Sequence, residues 1–158
     1  MSLEIGQAAP DFALYSSEKE LIRLSDGKGS AVVLLFFPLA FTSTCTKELC
    51  ATRDDLSVYQ NLHAEVFGIS VDSLHSLQRY KQEYNLNFRL LSDFNRETIK
   101  AYDAVYPEFG YGMKDVGKRA AFVIDKDGII RYAEVLENAG HLPDFEAIQN
   151  TLRNLQHV

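Results

Sequence analysis

Residues 31 to 37, Ala-Val-Val-Leu-Leu-Phe-Phe, are apolar at every position. This predicts a strand buried on both faces, and Pro38 ends it because proline cannot donate to a sheet ladder. Thr42, Ser43 and Thr44 then offer helix caps. Cys45, Leu49, Thr52, Leu56 and Tyr59 recur at three- and four-residue steps, predicting a helix from about 43 to 62 with Cys45 on its inward face and Cys50 off it. Residues 66 to 71 read as a second strand, parallel to the first across a βαβ unit. A second helix, capped by Asp72 or Ser73, carries Leu74, Leu77, Tyr80 and Tyr84 on one stripe and ends near Asn85.

The flanks follow the same logic. Residues 4 to 27 predict a short β-hairpin, 88 to 91 a short strand, and 92 to about 102 a brief helix opened by Ser92 and Asp93. Residues 106 to 118 hold Phe109 and Tyr111 among three glycines and read as a long ordered loop. Two strands, 120 to 124 and 129 to 135, are joined by a turn with Gly128 where φ is positive. Pro143 suits the first position of a last helix, with Phe145, Ile148, Leu152 and Leu155 on one face. This order predicts an α/β sheet with helices on both faces. It forms a single domain over residues 1 to 158, a length that supports one core.

Composition narrows the function. A net charge of −6 with no basic stripe argues against nucleic acid. No apolar run approaches a membrane span, and the N-terminus has no basic segment followed by an apolar one, so neither a membrane nor a secretory route is expected. Two cysteines without a secretion signal predict a reducing cytoplasm, where cysteines are catalytic or metal-binding more often than structural. The metal reading is weak, because the cysteines are five apart and His63, His75, His141 and His157 are scattered. Gly110, Gly112 and Gly117 make no phosphate loop, since no Gly-Lys-Ser/Thr follows. No cofactor is expected.

The chemistry concentrates at Cys45. In the first turn of a helix its sulfur meets unpaired backbone N–H groups and the positive end of the dipole, which favour the thiolate. That end contributes only about 0.3–2 kcal/mol, so a cation is wanted as well. Arg119, just before the strand at 120 to 124, is placed to meet Cys45 across the sheet edge, whereas Lys47 points to water. Each residue also has a structural reading: a buried thiol for Cys45, plain capping for Thr42, a surface ion pair for Arg119 and solvated helix surface for Glu48.

Pro38, Thr42, Cys45 and Glu48, with Arg119 far downstream, resemble the active-site signature of the peroxiredoxins. The wording Phe-Phe-Pro-Leu-Ala-Phe-Thr before the cysteine and Gly-Ile-Ile-Arg-Tyr-Ala-Glu at 128 to 134 is similar to the E-type subgroup. Cys50, five positions after Cys45, resembles the Q-type (bacterioferritin-comigratory) placement of a resolving cysteine. The resemblance implies a thioredoxin-like fold, with a central mixed sheet flanked by helices and an N-terminal β-hairpin. It implies a thiol peroxidase that reduces hydrogen peroxide and organic hydroperoxides through a Cys45 sulfenic acid. Thr42 would then contact the peroxide, Arg119 would stabilise thiolate and leaving oxygen, Pro38 would shield the sulfenic acid, and Glu48 would orient Arg119 by a paired hydrogen bond. A thioredoxin-like thiol donor would recycle the enzyme, and a homodimer is a further expectation.

Five helical residues put the Cα atoms of Cys45 and Cys50 about 8–9 Å apart, whereas a disulfide needs roughly 7 Å or less. Resolution by Cys50 therefore requires the first turns of the helix to unwind. The alternative is a one-cysteine peroxidase resolved by an external thiol. A thioredoxin-like disulfide reductase fits less well because the Cys-x2-Cys pair is absent. A redox-switched binding module, in which peroxide melts the Cys45 helix, is the rival from another class. Tyr106, Phe109 and Tyr111 fit a core, an entrance to the site or a dimer contact.

Overall fold

A computed structural model describes residues 3 to 156. Its strands are β1 (Ala13–Ser16), β2 (Leu21–Arg23), β3 (Ala31–Phe36), β4 (Ala64–Ser70), β5 (Arg89–Ser92), β6 (Val105–Glu108), β7 (Lys114–Gly117), β8 (Ala120–Ile124) and β9 (Ile130–Val135). Seven of them form one mixed sheet in the order β2-β1-β5-β4-β3-β8-β9, and β6 pairs only with β7. β3, β4 and β5 are parallel, while β8 runs antiparallel to β3 and β9 antiparallel to β8. The N-terminal hairpin β1–β2 joins the sheet edge antiparallel to β5. β4 starts two residues earlier than the pattern suggested, because Ala64 and Glu65 pair with Ala31 and Val32 of β3.

The apolar run in β3 is unbroken because both of its faces meet a core. Val33, Leu35 and Phe37 enter one with Cys45, Leu49, Tyr59, Leu77, Tyr80, Ile148 and Leu152. Val32, Leu34 and Phe36 enter the other with Phe12, Leu14, Ile99, Tyr102, Phe122 and Ile130. The first core is roofed by α1 (Ser43–Asp54), α2 (Leu56–Asn61), α3 (Leu74–Tyr84) and α5 (Phe145–Leu155), and the second by the N-terminal segment and α4 (Glu97–Ala101). Fully burying each large aliphatic or aromatic chain contributes about 1.5–3 kcal/mol. The crossing strand thus anchors both layers, and its carboxyl end carries the site.

Four details depart from the pattern. The helix expected from 43 to 62 is broken at Asp55, which ends α1 and precedes α2; Asp54 and Asp55 side by side favour caps over helix interior. The long loop at 106 to 118 is instead the two-stranded β6–β7 ribbon. Its tip disguises the pairing, with Tyr111 at φ 63° and Gly112 at φ 76°. Pro143 is not the first residue of α5, because Asp144 is the N-cap and its carboxylate accepts from the Ala147 N–H. The brief helix begins only at Glu97, and the Asp93 carboxylate accepts from the Thr98 and Ile99 N–H groups at its start. Ser73 caps α3, and Asn85 ends it in the left-handed region. Among the described residues, no helix is long and apolar enough to cross a membrane.

Candidate active site

The β3 ladder runs one residue past its end, where Phe37 N–H donates to Ile69 O, and then stops at buried Pro38. The loop that follows is fixed from an unexpected side. Asp72 Oδ2 accepts from the Ala40 N–H at 2.8 Å and from Ser70 Oγ at 2.7 Å, tying the loop to the end of β4. Phe41 sits at φ 67°, a left-handed conformation that costs an aromatic residue about 1–3 kcal/mol. Its half-exposed ring rests on Tyr80, with centroids 4.9 Å apart.

Thr42 is the N-cap of α1 in backbone conformation, but its side chain caps nothing. Its Oγ1 instead donates to Leu39 O at 2.8 Å. With its single proton so engaged, the hydroxyl presents only lone pairs to anything else, which makes it an acceptor. Cys45 follows in the first turn and is 1% exposed.

Arg119 stands between β7 and β8, and its chain is fixed on both sides. Its N–H donates to Tyr106 Oη at 3.4 Å, the Leu136 N–H donates to its carbonyl, and Tyr106 Oη donates to Leu136 O at 2.6 Å. Each edge of the guanidinium has its own partner. Nε donates to Ala139 O at 2.9 Å, Nη1 to Glu48 Oε1 at 2.6 Å and Nη2 to Cys45 Sγ at 3.2 Å. Arg119 and Glu48 side chains are 1% and 0% exposed. The contact with Glu48 is therefore a single hydrogen bond, not the paired one expected, because the second amino group is committed to the cysteine. Glu48 Oε2 is buried without a hydrogen-bond partner among the described residues.

Burial pushes the Glu48 carboxyl up to about 7 although Arg119 pulls the other way. Burial also penalises the Arg119 charge, but Glu48 and Cys45 outweigh it and hold the guanidinium above its ordinary range. Charge thus stays on Arg119 beside the sulfur, while its acidic neighbour is only weakly committed to ionisation. A buried ion pair of this kind is poor evidence of stability and better evidence of placement.

Pro38, Thr42, Cys45, Glu48 and Arg119 thus converge on the carboxyl end of β3. Cys50 does not reach this cluster. It is half-buried on an unbroken α1, and both cysteines are free thiols. Lys47 is exposed, as expected. Among the described residues no group of histidine, cysteine and acidic side chains could hold a metal. His63, His75 and His141 are exposed, and His157 lies outside the described residues. The aromatic trio splits: Tyr106 is buried and stacks on Phe109, whereas Tyr111 is fully exposed.

Three contributors were not legible beforehand. Asp72 anchors the loop, the Ala139 carbonyl orients the guanidinium, and Tyr80 bonds to the first turn of α1 through Thr46 at 2.9 Å.

The chain is similar to known proteins in sequence and fold. A model of the AhpC/TSA family matches residues 5–133. A putative peroxiredoxin bcp of Coxiella burnetii is 42% identical over 131 residues, covering 82% of this chain and 87% of that protein. The peroxiredoxin Bcp of Bacillus subtilis is 38% identical over 129 residues, covering 81% and 82%. The crystal structure of peroxidoxin BcpB from Mycobacterium tuberculosis superposes with a TM-score of 0.85 at 27% identity, covering 97% of this chain and 98% of that one.

Proposed function

The chain belongs to the AhpC/TSA family and is a thiol-dependent peroxidase, and from that premise we propose that Cys45 is its peroxidatic nucleophile, that Cys50 resolves it, and that Thr42, Arg119, Pro38 and Glu48 complete the site. The subgroup is that of the Bcp (Q-type) relatives rather than the E-type wording around the cysteine. The observation that carries the reading is the 3.2 Å contact from Arg119 Nη2 to Cys45 Sγ inside a buried helix start.

In the first step the Cys45 thiolate attacks the terminal oxygen of a hydroperoxide. The S–O bond forms as the O–O bond breaks, and the leaving alkoxide or hydroxide departs as alcohol or water with a proton. Thr42 Oγ1, its own proton held by Leu39 O, accepts from the peroxide O–H and so aligns the O–O bond toward sulfur. Arg119 stabilises first the thiolate and then the charge growing on the departing oxygen. Glu48 holds one edge of the guanidinium so that the other faces the reacting atoms. Pro38 covers the sulfenic acid against water and further oxidation.

In the second step the Cys50 sulfur attacks the Cys45 sulfur. The S–O bond breaks, an S–S bond forms, and water leaves with the Cys50 proton. A thioredoxin-like dithiol then reduces this disulfide by exchange and is itself oxidised. A reducing cytoplasm suits such a cycle. Steady-state peroxide consumption with a dithiol donor tests the scheme: Cys45→Ser loses turnover, and a variant that kept it would overturn the assignment.

A further inference from the structure

Resolution as described rests on α1 opening, and the structure fastens its two ends by different partners. At the far end, Arg53 Nη1 donates to Tyr84 O at 2.6 Å, and Asn87 Nδ2 donates to Arg53 O at 3.2 Å. These bonds tie the last turn to the end of α3 and the loop beyond it. Cys50 lies just before this anchored turn.

The near end meets Arg119 at Cys45 and Glu48, and its first turn is tied to α3 through one hydroxyl. The Thr46 N–H donates to Thr42 O at 3.0 Å, the first bond of the helix, and Thr46 Oγ1 donates to the same carbonyl at 2.8 Å. Because that proton is spent, the 2.9 Å contact with Tyr80 is donated by Tyr80 Oη. Tyr80 is completely buried and is fixed by packing with Phe37 and Tyr84, while the Phe41 ring also rests on it. Its phenol therefore grips the first turn, and its ring grips the strained residue leading into that turn. Both cysteines lie within electrostatic reach of the phenol.

We propose that Tyr80, acting through Thr46, is the latch that keeps the first turn of α1 wound, and that it thereby sets how fast Cys50 reaches oxidised Cys45. Tyr80 is a positioning residue that acts through its bond to Thr46. While the latch is closed Cys45 faces Arg119. When it opens, Phe41 is freed from its left-handed backbone, the turn carrying Cys45 unwinds, and the anchored Arg53 end keeps Cys50 in place to be met. Attack then proceeds as above, with an S–S bond formed, an S–O bond broken and water released. A tight latch lengthens the life of the sulfenic acid and so exposes it to a second peroxide, which oxidises it to sulfinic acid with release of water or alcohol.

The test compares Tyr80→Phe, which removes only the hydroxyl, with wild type and Cys50→Ser. Rapid mixing with hydrogen peroxide separates sulfenic acid formation from disulfide formation. Hydrogen exchange at the Thr46 amide of the reduced protein reports the latch without reference to Cys50. In Tyr80→Phe the first phase stays within twofold of wild type. Disulfide formation quickens roughly fivefold, the factor an ordinary hydrogen bond carries. The peroxide concentration that gives half sulfinic acid rises, and Thr46 exchange accelerates to match. Unchanged exchange at Thr46 overturns the latch. Faster exchange with unchanged disulfide formation overturns its control of resolution. A wild type that forms no Cys45–Cys50 disulfide refutes the resolving step itself, and the missing second phase distinguishes that outcome from a failed latch.

Discussion

The two sides of the cysteine are built differently. Arg119 is held by strands: its backbone is bonded to Tyr106 and Leu136, its guanidinium to a carbonyl, a carboxylate and the sulfur, and almost none of it meets solvent. The first turn of α1, which carries the sulfur, has no side-chain cap and no acidic residue, and apart from the Arg119 contact with the sulfur a single phenol grips it from outside. The charge partner is thus preorganised, as electrostatic catalysis requires, whereas the nucleophile rides on a turn that can open. One sheet edge and one loosely tied helix start together serve a reaction that needs Cys45 fixed once and moved once.

The largest effect should come from the rigid side. Arg119→Met leaves the thiolate and the leaving oxygen without their donor, and the peroxide reaction should slow by about 10²–10³-fold, the cost of losing a comparable charge-stabilising donor. Rapid-mixing kinetics checks this, with Arg119→Lys as the variant that keeps a charge but loses two of the three directed bonds. A rate within threefold of wild type in both would remove Arg119 from the chemistry.

On the flexible side, Thr42→Val keeps shape and loses the lone pairs that receive the peroxide proton. A slowing of about 10–100-fold in the same phase is expected, as for a hydrogen bond to a group gaining charge. The rate of disulfide formation should be unaffected, since the substitution leaves in place the backbone carbonyl on which Thr46 closes.

The last effect is on stability rather than rate and concerns Glu48, which joins the two sides. Its carboxyl titrates at 4.5 when unperturbed and at about 7 in the folded chain. The folded state is therefore the better proton binder between those values, so Glu48 makes stability fall as pH rises from about 4.5 to about 7. Glu48→Gln still accepts from Arg119 Nη1 and removes that slope. Denaturant midpoints across the window would show wild type losing ground to Glu48→Gln as pH rises, and parallel curves would refute the buried-carboxyl account.

The parts governed by local periodicity are the easiest to read in the sequence. The run ending at Pro38, the stripe through Cys45, Leu49 and Thr52, and the strand after Arg119 each follow local periodicity, and the spaced motif joins them. Glu48 also lies inside by periodicity, being three residues from Cys45 and four from Thr52; its charge alone favours solvated surface, and it is the spaced motif that ties it to Arg119. What stayed hidden depends on distant pairs. Asp72 reaches Ala40 across 32 residues and Tyr80 reaches Thr46 across 34, so neither bond leaves a local pattern. The β6–β7 ribbon was masked by its glycines and exposed positions, and the break at Asp55 by an apolar stripe that continues into α2.

The claim that one half moves is tested most directly by intact mass and thiol count after one equivalent of hydrogen peroxide on the reduced protein, with Cys45→Ser as control. The account predicts rapid loss of both thiols, a mass lower by two hydrogens, no cross-linked dimer, and no fast reaction in the control. One oxygen gained at Cys45 with Cys50 still free would contradict it, because the turn would then have stayed wound and an outside thiol would have to complete the cycle.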